Sequence, residues 1–377
     1  MFILELLRYA ARGMPASDVG LAHAVAAAQA HELQWALEAG LGPMLHRAAS
    51  PLSNQLPSGL RDSLLAADLT ARLLHSVKVE TTCDLIDICA DLGVIATLLK
   101  GISISDQYYP QPHLRPMTDV DILALGRPYA DFETALLQRG YELGAIKMDP
   151  DSAHGVPLRD QARGVWVEVH TNLFPVYSPM RRNGMLAEPG QPDCWCPSAF
   201  HGRNVHRLLD EVQLLYIAAY WMRDLSMHSI HPTFLVPLLD AVILLTATRE
   251  SFDWNRLVSS LGDDQATASL YVLLAFLAGH ALIDVPAGVL KQLATHQSLI
   301  GPTERRTLGF LLDRYLLGGR PFTLFHSWHA WLNLLEPGPR FAKVLMLPWR
   351  IAFPPSYPHR YDWRAQAVRV AHLIRRL

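Results

Sequence analysis

The run Asp119-Val120-Asp121-Ile122-Leu123 sets two carboxylates one residue apart at the head of an otherwise apolar stretch, residues 119–125. In a strand, side chains at i and i+2 share a face, with α-carbons roughly 6.5–7 Å apart. Val120 and Ile122 then fill the opposite face, and both acids can reach one cation. Two like charges on an apolar strand repel each other and lose hydration, so the arrangement calls for a positive partner. Mg²⁺ suits that position because it prefers oxygen ligands and completes its shell with water and substrate phosphates. An isolated Asp-x-Asp is common, however, and equally fits a capping Asp119 beside a solvated Asp121.

A second strand is predicted over 164–170, where Val165, Val167 and Val169 alternate with Trp166, Glu168 and His170. Glu168 lies centrally on the polar face, and a third carboxylate from a neighbouring strand is what a two-metal phosphoryl-transfer centre requires. The plainer alternative is an edge strand with ordinary polar residues. A third feature is the short apolar run 94–99 followed by Lys100-Gly101-Ile102-Ser103. Glycine after a strand lets backbone N–H groups approach phosphate oxygens, and Lys100 adds charge beside them. The spacing is neither that of a Walker loop nor Gly-x-Gly-x-x-Gly, which excludes those nucleotide folds.

The 377 residues suffice for two or three structural units, and the charged fraction of 18% is far from a disordered composition. A formal net charge of −2 gives no basic field for a polyanion, so nucleic acid is not the expected substrate. Cys83, Cys89, Cys194 and Cys196 are too few and too unevenly spaced for a disulfide framework. With no basic-then-apolar leader at the start, the expectation is a cytoplasmic protein without membrane association. The uncharged run 265–283 reads as a buried helix, since Gln265, Thr267, Ser269, Gly279 and His280 interrupt it.

Along the chain, residues 17–46 show helical spacing with Ser17 as the N-cap, and 60–92 a longer helix closed by Gly93. A short helix follows Gly101 and is stopped by Pro110 and Pro112, and another over 129–139 is closed by Gly140. Residues 174–204 lack periodicity, while helical patterns recur over 208–225, 234–248, 254–261, 266–283, 287–296 and 304–317. The tail carries Pro337, Pro339, Pro348, Pro354, Pro355 and Pro358 and a basic helix ending Arg375-Arg376. The expected organisation is α+β. A helical N-terminal segment (1–80) precedes a core (81–175) with a small mixed β-sheet flanked by helices. A linker or lid (176–204) and a large helical C-terminal domain (205–377) complete it. Cys194, Cys196 and His201 lack a fourth zinc ligand, and His154, His228/His231 and His326/His329 fit packed or surface positions.

Leu99-Lys100-Gly101-x-Ser103 through Tyr108-Tyr109-Pro110, then Arg115-Pro116-Met117-Thr118-Asp119-Val120-Asp121, resembles the uncharacterised bacterial nucleotidyltransferase family of the polymerase-β-like superfamily. Glu168-Val169-His170 is similar to that family's later Glu-x-His strand, and Asp253-Trp254 and Pro354-Pro355-Ser356-Tyr357 to segments downstream. The resemblance implies a polymerase-β-like core in which Asp119, Asp121 and Glu168 are catalytic and bind Mg²⁺ or Mn²⁺. It implies a nucleoside triphosphate as donor, its phosphates met by Lys100, Gly101 and Ser103, and an unidentified acceptor such as a peptide or small molecule. Lys-Gly-x-Ser departs from the superfamily's usual Gly-Ser turn. Arg115 is assigned either to developing charge or to a salt bridge that pins the strand, and His170 either to positioning Glu168 or the nucleotide or to a packed position. A nucleotide-binding interaction protein and a metal-dependent phosphohydrolase are the competing classes.

Overall fold

The computed structural model describes residues 2–321 except 146–150, 177, 188–189, 228–229 and 297–300, with isolated positions after residue 340. Pro337, Pro339, Pro348, Pro354, Pro355 and Pro358, the pair His326/His329, His228 and the terminal Arg375-Arg376 lie outside the described residues.

The chain opens with helices α1 (Phe2–Ala11), α2 (Val19–Ala27), α3 (Ala30–Glu38) and α4 (Gly42–Ala49), so the segment expected as one helical pattern is broken into short pieces. Asp18, not Ser17, caps α2, its carboxylate accepting from the Leu21 backbone N–H at 2.8 Å. Gly40, at φ +78°, makes the corner after α3. Helix α5 (Ser58–Asp91) runs unbroken for 34 residues, and Gly93 follows it at φ +72°, as a helix-ending glycine should.

Seven strands form one mixed sheet: β1 (Thr97–Leu98), β2 (Asp119–Leu123), β3 (Tyr141–Leu143), β4 (Leu158–Asp160), β5 (Val165–His170), β6 (Trp195–Phe200) and β7 (Arg203–Leu208). Their order is β3-β4-β5-β2-β1-β7-β6. Helix α6 (Lys100–Tyr108) joins β1 to β2, α7 (Tyr129–Gln138) follows β2, and α8 (Gly184–Ala187) precedes β6. Residues 195–208 correct the expectation of an aperiodic linker running into helix. They form a hairpin whose second strand pairs in parallel with β1, Thr97 opposite His206. The strand expected over 94–99 is limited to two residues.

Helices α9 (Asp210–Met227), α10 (Leu235–Ala247), α11 (Trp254–Ser259), α12 (Gln265–Gly279), α13 (Ala287–His296) and α14 (Pro302–Leu311) build the C-terminal lobe. Nearly all of α12 is buried, which accounts for its uncharged composition. Among the described residues no helix is long and apolar enough to cross a membrane, and all four cysteines are free.

Two cores flank the sheet. On one face, Val120, Ile122, Val165, Val167 and Val169 pack with Leu85, Ile86 and Cys89 of α5 and Phe132 and Leu136 of α7. On the other, Leu99 and Leu123 join a larger core shared by the N-terminal helices and α9, α10 and α12. Each fully buried Val, Leu or Ile contributes about 1.5–3 kcal/mol. A one-residue slip of β2 or β5 would forfeit this and drive Asp121 or Glu168 into the first core, so the register is strongly fixed. The acids are thereby held on the face that meets the helical lobe.

Candidate active site

Strands β2 and β5 run parallel with Asp119 opposite Trp166, Asp121 opposite Glu168 and Leu123 opposite His170. The period-two alternation therefore puts Asp119, Asp121, Glu168 and His170 on one face of two hydrogen-bonded strands. Asp121 is 2% exposed. Its Oδ1 accepts from Lys100 Nζ at 2.5 Å and from His170 Nε2 at 2.8 Å. Glu168 Oε2 lies 3.7 Å from Lys100 Nζ, 3.5 Å from His170 Nε2 and 3.6 Å from His154 Nε2.

These contacts set the charges. Burial alone would raise the Asp121 carboxyl, but the Lys100 ammonium and the His170 hydrogen bond outweigh it and hold Asp121 well below the usual carboxylate range. Glu168 is lowered in the same way, burial being overcome by His170 and Lys100. Asp119 behaves oppositely: burial, then the charge of Asp121, push it up to about 6, with Lys100 offsetting only part.

Lys100 occupies an unusual backbone position. Its φ of +43° lies in the left-handed region, which costs an L-residue roughly 1–2 kcal/mol. The turn delivers the ammonium onto Asp121 as the chain enters α6. Gly101 follows, buried, where an added Cβ would lie 2.7 Å from Met117 Cγ and 2.8 Å from Arg115 Nη1. Close packing against these two side chains calls for glycine there.

Asp121, Glu168 and His170 offer ligand atoms within 4.8 Å of one another, and among the described residues they are the one such group. The two carboxylates suit a divalent cation. His170 fits less well as a third ligand: coordination through Nε2 would move the proton to Nδ1, which is buried with no hydrogen-bond partner. It fits better as the donor that orients Asp121. Asp119, expected among the metal ligands, lies outside this closest group.

Asp119 and Asp121, with Lys100, Gly101 and Arg115, line a cavity of about 680 Å³ between the strand ends, α5 and the α9–α10 corner. Glu168, His170 and Ser103 are not part of its wall. The Ser103 hydroxyl is fully buried and accepts from Gln107 Nε2 at 2.9 Å. Arg115 is 6% exposed and donates through Nε and Nη2 to the two carboxylate oxygens of Asp240, at 2.9 and 2.7 Å. Of the two roles expected for Arg115, the salt bridge is the one formed here.

Tyr216 and Lys78 are assigned no role from the sequence, and His154 only a packed or surface position. The His154 ring lies 5.0 Å from that of His170, centre to centre and tilted 56° to it, and faces Glu168. Tyr216 of α9 is close enough to Lys100 and Asp121 to feel both charges, though burial chiefly pushes it up to about 12. Lys78 of α5 lines the cavity. Only the spacing of Tyr216 and Tyr220 on one helical face carried any signal.

A mixed sheet flanked by helices, with an acidic group on adjacent central strands able to hold a divalent cation, defines the class of this protein. The chain belongs to the uncharacterised nucleotidyltransferase family, whose model matches residues 27–280. No curated protein matches the chain.

Proposed function

We propose that the protein transfers a nucleotidyl group from a nucleoside triphosphate to a hydroxyl of an acceptor, a peptide or small molecule. The observation that carries this reading is the register of β2 on β5, which pairs Asp121 with Glu168 and leaves Asp119 on the same face, beside a cavity. In the reaction, the acceptor oxygen bonds to the α-phosphorus, the α–β bridging P–O bond breaks, and pyrophosphate leaves. Asp119 and Asp121 would hold a divalent cation, Mg²⁺ or Mn²⁺. Glu168 would share a second and take the acceptor hydroxyl's proton. When bound, such cations neutralise phosphate charge and align the displacement. His170 orients Asp121, and Gly101 keeps the wall narrow where the donor enters.

One observation favours a second reading, a nucleotide-binding protein without turnover: the Lys100 ammonium already sits on Asp121 and near Glu168. Incubation with each nucleoside triphosphate and Mg²⁺, with candidate acceptors, distinguishes these. Pyrophosphate release that disappears in Asp119→Asn and Asp121→Asn supports transfer. Orthophosphate alone supports hydrolysis, and binding without product supports the second reading.

A further inference from the structure

Among the described residues three lysine or arginine cations line the cleft, and two are already engaged: Lys100 on Asp121 and Arg115 on Asp240. The third, Lys78 of α5, is 8% exposed, and its Nζ donates to the backbone carbonyl of Met117 at 2.5 Å. Among the described residues that carbonyl is its hydrogen-bond partner, and no carboxylate lies within ion-pair distance. An ammonium carries three donors, so two remain. A buried charge held by one neutral carbonyl is expensive unless an anion joins it. Met117 is two residues before Asp119, so Lys78 reaches the cavity at the entrance to the acidic strand. One turn earlier, His75 lines the same wall, its Nδ1 buried without a partner.

We propose that Lys78, with His75 beside it, receives the phosphate groups of the triphosphate donor, so that the α5 wall is the anion-binding side of the cleft. This rests on the nucleotidyl-transfer reading. It explains how a cleft whose other cations are tied to carboxylates can attract a polyanion while the acids of β2 face it. Burial depresses the Lys78 ammonium, and Asp119 partly restores it; a bound phosphate would restore it further. The Met117 carbonyl fixes the direction of the ammonium, which limits the rotamer entropy lost on binding.

The test is calorimetric titration of the full chain with two probes, Mg²⁺-ATP and inorganic tripolyphosphate, for the wild type, Lys78→Gln, Lys78→Arg and His75→Gln. A charge-assisted hydrogen bond is worth roughly tenfold to a hundredfold in affinity. Lys78→Gln should weaken both probes by about that factor, His75→Gln by less, and Lys78→Arg should restore most of the loss. Unchanged affinity in Lys78→Gln overturns the assignment. Should that variant not fold, acetylation of wild-type Lys78 read by mass spectrometry decides: tripolyphosphate protects Lys78 if it binds there, and absence of protection overturns the proposal. Lys78-dependent tripolyphosphate binding without pyrophosphate release from any triphosphate would sink the transfer reading alone. Pyrophosphate release undiminished in Lys78→Gln would sink the Lys78 assignment alone.

Discussion

Arg115 and Asp240 form a two-pronged ion pair, 2.9 and 2.7 Å, that ties the segment entering β2 to the middle of α10. Asp240 is wholly buried, and Tyr109 also donates to it at 2.8 Å. The strand that carries the acids is thus clamped to the helical lobe.

Breaking one side of this clamp leaves a buried charge without its partner. Arg115→Met or Asp240→Leu should each lower unfolding free energy by about 3–5 kcal/mol. The double variant should recover much of that loss, since an apolar pair is often neutral where half a pair is not. Urea unfolding of the three variants checks this.

Lys100 and a divalent cation should compete for the same carboxylates. In Lys100→Met, Asp121 and Glu168 lose the ammonium they share, so the variant should melt below the wild type in chelator. Ligand that binds only the folded state raises stability more the more tightly it binds. The rise in Tm on adding Mg²⁺ should therefore be larger for Lys100→Met than for the wild type. An equal rise would mean that Lys100 does not stand in the cation's place.

Gly101→Ala should destabilise the fold by about 1–3 kcal/mol, the usual range for overpacking. Met117 is flexible enough to move, but Arg115 Nη1, 2.8 Å from the new Cβ, belongs to a guanidinium held by Asp240. Thermal melts of the variant, compared with Gly101→Ala/Met117→Ala, show how much of the loss is relieved by clearing Met117.

Mild acid should weaken the protein through His75. Burial, aided by the nearby His113, pushes His75 down to about 4, whereas an unfolded histidine titrates near 6.5. The unfolded state therefore binds the extra proton first. Stability from this group is whole above about pH 6.5 and declines as pH falls through about 4. His75→Gln should flatten the fall in unfolding free energy between those limits, measured by denaturant titration at a series of pH values.

The legible parts of the fold are those whose pattern is local. Strands β2 and β5 could be read because valine and isoleucine alternate with acids at the sheet period. Helix α5 could be read because its apolar positions repeat and Gly93 closes it. The hairpin β6–β7 could not. Trp-Cys-Pro-Ser-Ala-Phe holds a proline that suits an edge strand, and Arg-Asn-Val-His-Arg-Leu has few apolar residues to mark a face. Its place is set by pairing with Thr97 and Leu98, more than 100 positions away. At the site, the acids were visible as a motif. Asp240 as the partner of Arg115 and Lys78 as a wall of the cleft were not, because both arise from packing between distant helices.

The most direct test of the central claim, that Asp121 and Glu168 act as one unit across two strands, is a double-mutant comparison of pyrophosphate release from a Mg²⁺-nucleoside triphosphate. Asp121→Asn and Glu168→Gln should each reduce the rate by roughly a hundredfold or more, and the double variant should be no slower than the worse single, because groups that act together are not additive. A Glu168→Gln variant that releases pyrophosphate at the wild-type rate would contradict the account.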